Sequence, residues 1–278
     1  CVLPENELYD KKLKNGKGLK LFYIPLSKRK NMPLSIKFIS YLIMVKIILR
    51  PDKILLHLDK KTVFAAFISR FIKDIQISSI ISDLNILNGF ISIFYKLLYK
   101  SILRHSETAF YVYQDDYDLA EKYGFKFKDR SIVLRGWGVD LNYYKKMPIP
   151  ETDLVYMSMP LLCCHGVKCF TETAKLVREK YPKVRFILTG KFIEDPAVFT
   201  AAELDEACEN HYIYYVEDVG DIRPFMEVCS IFVQPNVTVK EGYILEAEAT
   251  GRPVLASDHP VNRSLMIEGY NGFILPVN

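Results

Sequence analysis

Residues Pro235–Asp258 read PNVTVKEGYILEAEATGRPVLASD, and the rest of the chain is parsed outward from them. Tyr243–Thr250 has a helical composition, and Gly251-Arg252-Pro253 ends it, since glycine closes helices readily and proline cannot continue one. Pro253–Ala256 then reads as a short buried strand, and Ser230–Val233 as the strand before the stretch. Strand, loop, helix and strand in that order form the crossover that parallel strands require. Gly242 stands just before the helix, where the backbone can come close to a ligand and free N–H groups favour a phosphate. Glu241 and Glu246 are expected at the same rim. A carboxylate there can accept hydrogen bonds from neighbouring sugar hydroxyls.

The same alternation extends through the chain. In the first half, helices at Pro33–Leu49, Thr62–Ile72, Ile91–Leu103 and Asp115–Tyr123 alternate with strands at Ile54–Leu56, Ile75–Ile81, Thr108–Tyr113 and Ile132–Leu134. His57 closes the first of these strands, at the edge where ligands sit. Asp140–Thr152, with Pro148 and Pro150, places a domain boundary at 147/148. The second half offers strands at Leu154–Met157, Val184–Leu188, His211–Tyr215, Ser230–Val233, Pro253–Ala256 and Phe273–Leu275. Helices at Val167–Lys180, Ile222–Val228 and Tyr243–Thr250 lie between them. The fold class is α/β, with parallel sheets covered on both faces.

With 278 residues and 50% hydrophobic content the chain can bury one large core or two ordinary ones. Its net charge of +4 divides unevenly: residues 1–150 carry +12 and residues 151–278 carry −8. Lys11–Lys30 holds eight basic residues and no acidic one, either a solvated face or a surface attracted to anionic lipid or to a phosphate-bearing acceptor. No zinc-finger, RRM or helix-turn-helix pattern accompanies that charge, so nucleic acid is not an expected partner. Pro33–Leu49, 17 residues with Lys37 and Lys46, is too short and too charged for a membrane span. No signal-peptide pattern is present, and six cysteines without disulfide-like spacing suit a reducing compartment. The expected location is cytoplasmic, peripheral at the inner membrane face.

Glu241-Gly242, Glu246-Ala247 and Gly251-Arg252-Pro253-Val254 resemble the C-terminal signature of the group 1 (family 4) GT-B glycosyltransferases. The likeness extends in order from about residue 50 to residue 278. It takes in Arg50-Pro51-Asp52 with His57, Tyr113-Gln114-Asp115-Asp116, Gly136-Trp137-Gly138-Val139-Asp140, Tyr181–Gly190, Gly220-Asp221-Ile222-Arg223-Pro224 and Asn271-Gly272-Phe273.

The resemblance implies two Rossmann-like domains whose parallel sheets face a cleft: an acceptor-side domain over 1–147 and a nucleotide-sugar-binding domain over 148–278. It implies transfer of a hexose, with retention, from a nucleotide sugar (UDP-linked) to a lipid-linked or polysaccharide glycan. It implies no cofactor and no metal. Glu241 takes the catalytic place; Glu246, Gly242, Tyr243, Gly190, Lys191, Val219, Gly220 and His165 the donor side; and His57 the acceptor side.

This sequence departs from the family pattern in four respects. Glu241 and Glu246 are five apart, where the family has eight, and Thr238 takes the place of the first carboxylate. Met159 and His165 stand where an Arg and a Lys normally meet the diphosphate, in an expected loop Met159–Gly166. A first strand with its glycine-rich loop is expected before residue 1, so that the N-terminal domain is incomplete, and a returning helix is expected after Asn278. A catalytically weakened protein that binds nucleotide sugar, or supports an active partner, is the alternative reading. Two other readings are poor. Gly136-Trp137-Gly138 lacks the third glycine of a dinucleotide site, and Cys163-Cys164-His165 with Cys169 lacks the second ligand pair of a zinc site.

Overall fold

The computed structural model describes residues 2–4, 22–24, 52–58, 63, 66–67, 76–81, 84, 92–125, 128–134, 136–162, 164–217, 219–235 and 243–276. Two compact units divide the chain, residues 1–134 and residues 135–278. The division falls ahead of the 147/148 boundary that the prolines suggested. The reason is local: Met147 N–H donates to Thr250 O at 3.1 Å and Arg252 donates to Pro148 O at 2.8 Å, so the segment before the prolines packs on the second unit.

In the first unit, β1 (Val2–Pro4) and β2 (Phe22–Ile24) form a parallel pair of their own, which the sequence reading did not foresee. The main sheet is parallel, in the order β3 (Lys53–Leu58), β4 (Gln76–Ile81), β5 (Thr108–Tyr111), β6 (Ser131–Val133). Helix α1 (Ser92–His105) follows β4, and α2 (Gln114–Lys122) follows β5. Leu58, Ile81, Tyr99, Ile102, Tyr111 and Phe125 form the centre of this unit's core. The expected helix Pro33–Leu49 and the basic run Lys11–Lys30 lie outside the described residues, Phe22–Ile24 of β2 excepted.

The second unit contains β7 (Leu154–Leu162), α3 (Cys164–Lys180), β8 (Arg185–Phe192), α4 (Ala201–Glu209), β9 (Tyr214–Val216) and α5 (Arg223–Val228). It continues with β10 (Ile231–Gln234), α6 (Ile244–Ala249), β11 (Val254–Ser257), α7 (Pro260–Leu265) and β12 (Gly272–Leu275). All six strands are parallel, in the order β12-β11-β10-β7-β8-β9. Successive residues of β7 face opposite sides, as the period of a strand requires. Leu154 and Tyr156 join a core with Met226 of α5, Ile244 of α6 and Val254. Met157 and Met159 join another core with Phe170 of α3, Leu188 and Leu204 of α4. Apolar residues on both faces of β7 give the sheet a core on each side.

Helix α4 escaped the sequence reading although its start is encoded. Thr200 accepts from Glu203 N–H at 3.2 Å, and the Glu203 carboxylate accepts from Thr200 N–H at 2.7 Å. This reciprocal cap is the Thr-x-x-Glu signature.

Candidate donor site

Strands β7 and β10 are neighbours, yet the chain leaves β7 toward β8 and leaves β10 toward β11. Counted within the unit, the order is 6-5-4-1-2-3, which opens a crevice at the carboxyl ends of the two central strands. The starts of α3 and α6 therefore flank that crevice. His165 lies in the first turn of α3. Glu241 and Gly242 belong to the segment between β10 and α6 and lie outside the described residues. Tyr243, half-buried, precedes α6 and packs on the core beneath.

Glu246 sits in the first turn of α6, half-buried, with its carboxyl pushed up from the usual range by burial. A group near the positive end of a helix, partly dehydrated, is suited to accepting hydroxyl hydrogens. The Tyr144 phenol, raised first by its own burial, is raised further by the Glu246 carboxylate and then by Tyr143, Tyr243 and Asp221. The tyrosines and the two acids thus share one neighbourhood. Arg223 organises its margin: Nε donates to both Asp221 oxygens at 2.9 and 3.0 Å, and Nη2 donates to Oδ2 at 2.6 Å. Its guanidinium carbon lies 3.7 Å from the Tyr143 ring centroid. Val219, half-buried, and Gly220, exposed, precede this pair and follow β9. An added Cβ at Gly220 would meet no atom within 4 Å, so the backbone there is open to close approach.

Gly190 and Lys191 lie within β8 near its carboxyl end, beyond the expected end of the strand at Leu188. Gly190 has φ +134, and its carbonyl accepts from Tyr215 OH at 3.0 Å. Below it runs a buried chain in which Tyr156 OH and Thr189 Oγ1 are 2.7 Å apart and Thr189 donates to Ser158 Oγ at 2.7 Å. Burial pushes the Tyr156 phenol up to about 12. These bonds hold the ends of β7 and β8 in fixed register.

The expected loop Met159–Gly166 is a correction. Strand β7 continues through Leu162, and α3 begins at Cys164. Pro160 cannot donate to a neighbouring strand, and the pairing with β8 slips between Ser158 and Leu161. Met159 is buried in the core instead of facing a ligand.

His57 is exposed near the carboxyl end of β3, in the first unit. Tyr143, Tyr144 and Arg223 were not among the expected site residues. Tyr143 and Tyr144 carry no such signal in the sequence, and Arg223 shows only as part of Gly220–Pro224. Among the described residues no three His, Cys, Asp or Glu side chains converge as a metal ion would require.

Residues 154–278 match the family model of the group 1 glycosyl transferases. This stretch is a group 1 glycosyltransferase domain. Over 178 residues the chain is 25% identical to the N,N'-diacetylbacillosaminyl-diphospho-undecaprenol alpha-1,3-N-acetylgalactosaminyltransferase of Campylobacter jejuni. That alignment takes in 58% of this chain and 45% of the relative, so the chain spans less than half of the relative's length. Among solved structures, Anabaena HepE in complex with UDP superposes with a TM-score of 0.68 at 20% identity, over 92% of this chain and 72% of its own. A glycosyltransferase of Rickettsia africae superposes with a TM-score of 0.72 at 13% identity, over 100% of this chain and 76% of its own. The fold of the group 1 domain and of the unit before it is GT-B.

Proposed function

We propose that the chain belongs to a retaining hexosyltransferase that takes its sugar from a UDP-linked donor, without a metal. The acceptor is a lipid-linked or polysaccharide glycan at the cytoplasmic face of a membrane. The observation that carries this reading is Glu246, half-buried in the first turn of the helix that leaves the central crevice. There it would hold the ribose hydroxyls, while Tyr243, Val219-Gly220 and Gly190-Lys191 line the donor. Glu241 and Gly242 would meet the transferred sugar and the phosphates, with His165 and the N–H groups of α3 beside the diphosphate. His57 would serve the acceptor from the first unit. HepE has been solved with UDP, with UDP and glucose, and with UDP-glucose, and the Campylobacter relative is named for a diphospho-undecaprenol acceptor; both support this choice.

Met159 favours a second reading, a nucleotide-sugar-binding protein of weak transfer. A buried methionine leaves the diphosphate without the basic group that usually meets it, and one lost donor of that kind costs about 10²–10³ in rate. The test is calorimetry with UDP, followed by donor hydrolysis and glycan transfer with UDP-hexoses. UDP binding with measurable transfer supports the first reading, and binding without transfer the second. Absence of UDP binding overturns both.

A further inference from the structure

A row of polar side chains runs across the carboxyl ends of the central strands, on the sheet face that α5 and α6 cover. Phe232 of β10 and Tyr156 of β7 are register partners, and both belong to the core with Ile244 and Ala247 of α6. Two residues further along each strand, on the same face, stand Gln234 and Ser158. Thr189 of β8 is the register partner of Ser158. Gln234 is 3% exposed, Ser158 1% and Thr189 0%, so all three have lost their water. The hydroxyls supply one another: Tyr156 OH reaches up to Thr189 Oγ1, and Thr189 donates to Ser158 Oγ, both at 2.7 Å. Gln234 does not join them. Its amide oxygen is buried and accepts no hydrogen bond among the described residues. A buried carbonyl left in that state is costly, and native structures contain few.

We propose that Gln234 reads a hydroxyl of the nucleotide-sugar donor and is a specificity determinant of the crevice. The inference rests on the donor reading and adds to it a residue that the motif resemblance does not assign. Position and chemistry select the ligand. Gln234 is the last residue of β10, at the point where the strand order reverses, and its register partner on β11 is the small Ala256. Glu246 stands in the first turn of α6, whose buried residues pack on Phe232, so the row and that carboxylate share one side of the sheet. Among the described residues the row holds no cation, so it offers a diphosphate no charge to meet. An amide accepts through oxygen and donates through nitrogen, which matches a hydroxyl, since a hydroxyl does both. Ribose and the transferred hexose each carry such groups. A ligand lacking the hydroxyl would leave the amide buried and unpaired, and that cost is what lets a site of this kind discriminate.

The experiment is calorimetry of UDP and of UDP-glucose with the full chain, beside thermal unfolding of the ligand-free protein. Gln234→Met removes the amide at nearly constant volume. Affinity should fall about ten-fold, for both ligands alike if the hydroxyl belongs to ribose and for UDP-glucose alone if it belongs to the hexose. Because an apolar chain replaces an unpaired buried amide, the ligand-free thermal midpoint should rise by about 2–4 °C. Gln234→Asn keeps the amide but withdraws it by one methylene, and covers the case in which methionine disturbs the sheet. It should lose the affinity without the rise. A raised midpoint with unchanged affinity in both variants shows a trapped water in place of a ligand and overturns the inference. A lowered midpoint in Gln234→Met shows an amide bonded within the chain, and overturns it as well. Absence of UDP binding in the parent overturns the donor reading and the role of Gln234 with it, whereas a parent and variants that bind alike strike at Gln234 alone.

Discussion

Asn271 donates its side-chain amide to a Glu248 carboxylate oxygen at 2.7 Å, tying the end of α6 to the turn before β12. The same side chain accepts from Ile267 N–H at 2.7 Å, and its backbone carbonyl accepts from Val254 N–H at 3.0 Å. One residue thus joins a helix, a strand and a turn. The amide favours the ionised form of Glu248, but burial opposes it and prevails, pushing the carboxyl up to about 7.

A pH dependence follows. The folded protein holds the Glu248 proton more tightly than the unfolded chain does, so the folded state gains from it below the unfolded value of about 4.5 and loses that gain as pH rises through about 7. Because the side chain is only partly buried, the effect is discounted to about 1 kcal/mol. Glu248→Gln keeps an oxygen for Asn271 and should flatten this slope in urea unfolding between pH 5 and 8. An unchanged slope would remove Glu248 as its source.

Glu246→Gln addresses the site. Loss of the charge-assisted bonds to ribose should weaken UDP binding roughly ten- to hundred-fold, the equivalent of about 1.5–3 kcal/mol. The thermal midpoint should move little, because burial already disfavours the charged form. Calorimetry on the folded variant decides the matter, and an unaltered affinity places the ribose elsewhere.

Arg252 is buried with no carboxylate partner among the described residues, and it serves carbonyls instead. Nε donates to Met226 O at 2.6 Å, and Nη2 donates to Pro148 O at 2.8 Å and to Glu227 O at 3.4 Å. Two of these belong to the last turn of α5, whose carbonyl end attracts a cation. Arg252→Met should cost about 2–4 kcal/mol by leaving those acceptors unpaired. Cys229 beside it gives a direct readout. Burial pushes its thiol up to about 11 although the neighbouring Arg252 pulls it down, so it should resist iodoacetamide at pH 8 in the parent and still more in the variant, which loses that pull.

Gly272→Ala tests the approach of β12 to β11. An added Cβ would run into the Val254 carbonyl group and come within 2.9 Å of Met266 Cε. A backbone obstacle cannot swing aside, so about 3 kcal/mol or more should be lost, with a fall in the thermal midpoint of around 10 °C. A fall of only a degree or two would show that the strand shifts freely.

The parts of the molecule that follow from periodicity were legible in advance. Tyr243–Thr250, Pro253–Ala256 and Ser230–Val233 lie within a residue or two of α6, β11 and β10, because short apolar runs flanked by glycine and proline leave few alternatives. Met159–Gly166 was misread because Pro160 suggests a loop, whereas a parallel strand can absorb a proline at a slip in its pairing. Tyr144 could not be read at all. Its nearness to Glu246 joins residues about a hundred apart, and no local pattern reports such a meeting.

The seating of residues 136–150 has a consequence for how parts of this fold could be exchanged between related chains. Tyr144 packs on the core beside α6, Met147 is bonded to Thr250, and Pro148 caps Arg252. A chimera joined at the prolines would supply a foreign Tyr144 to a native Glu246 and scramble both seats. Joined near residue 135, the graft would carry Tyr144, Met147 and Pro148 together with their seats beside α6, on Thr250 and on Arg252 as one inheritable block.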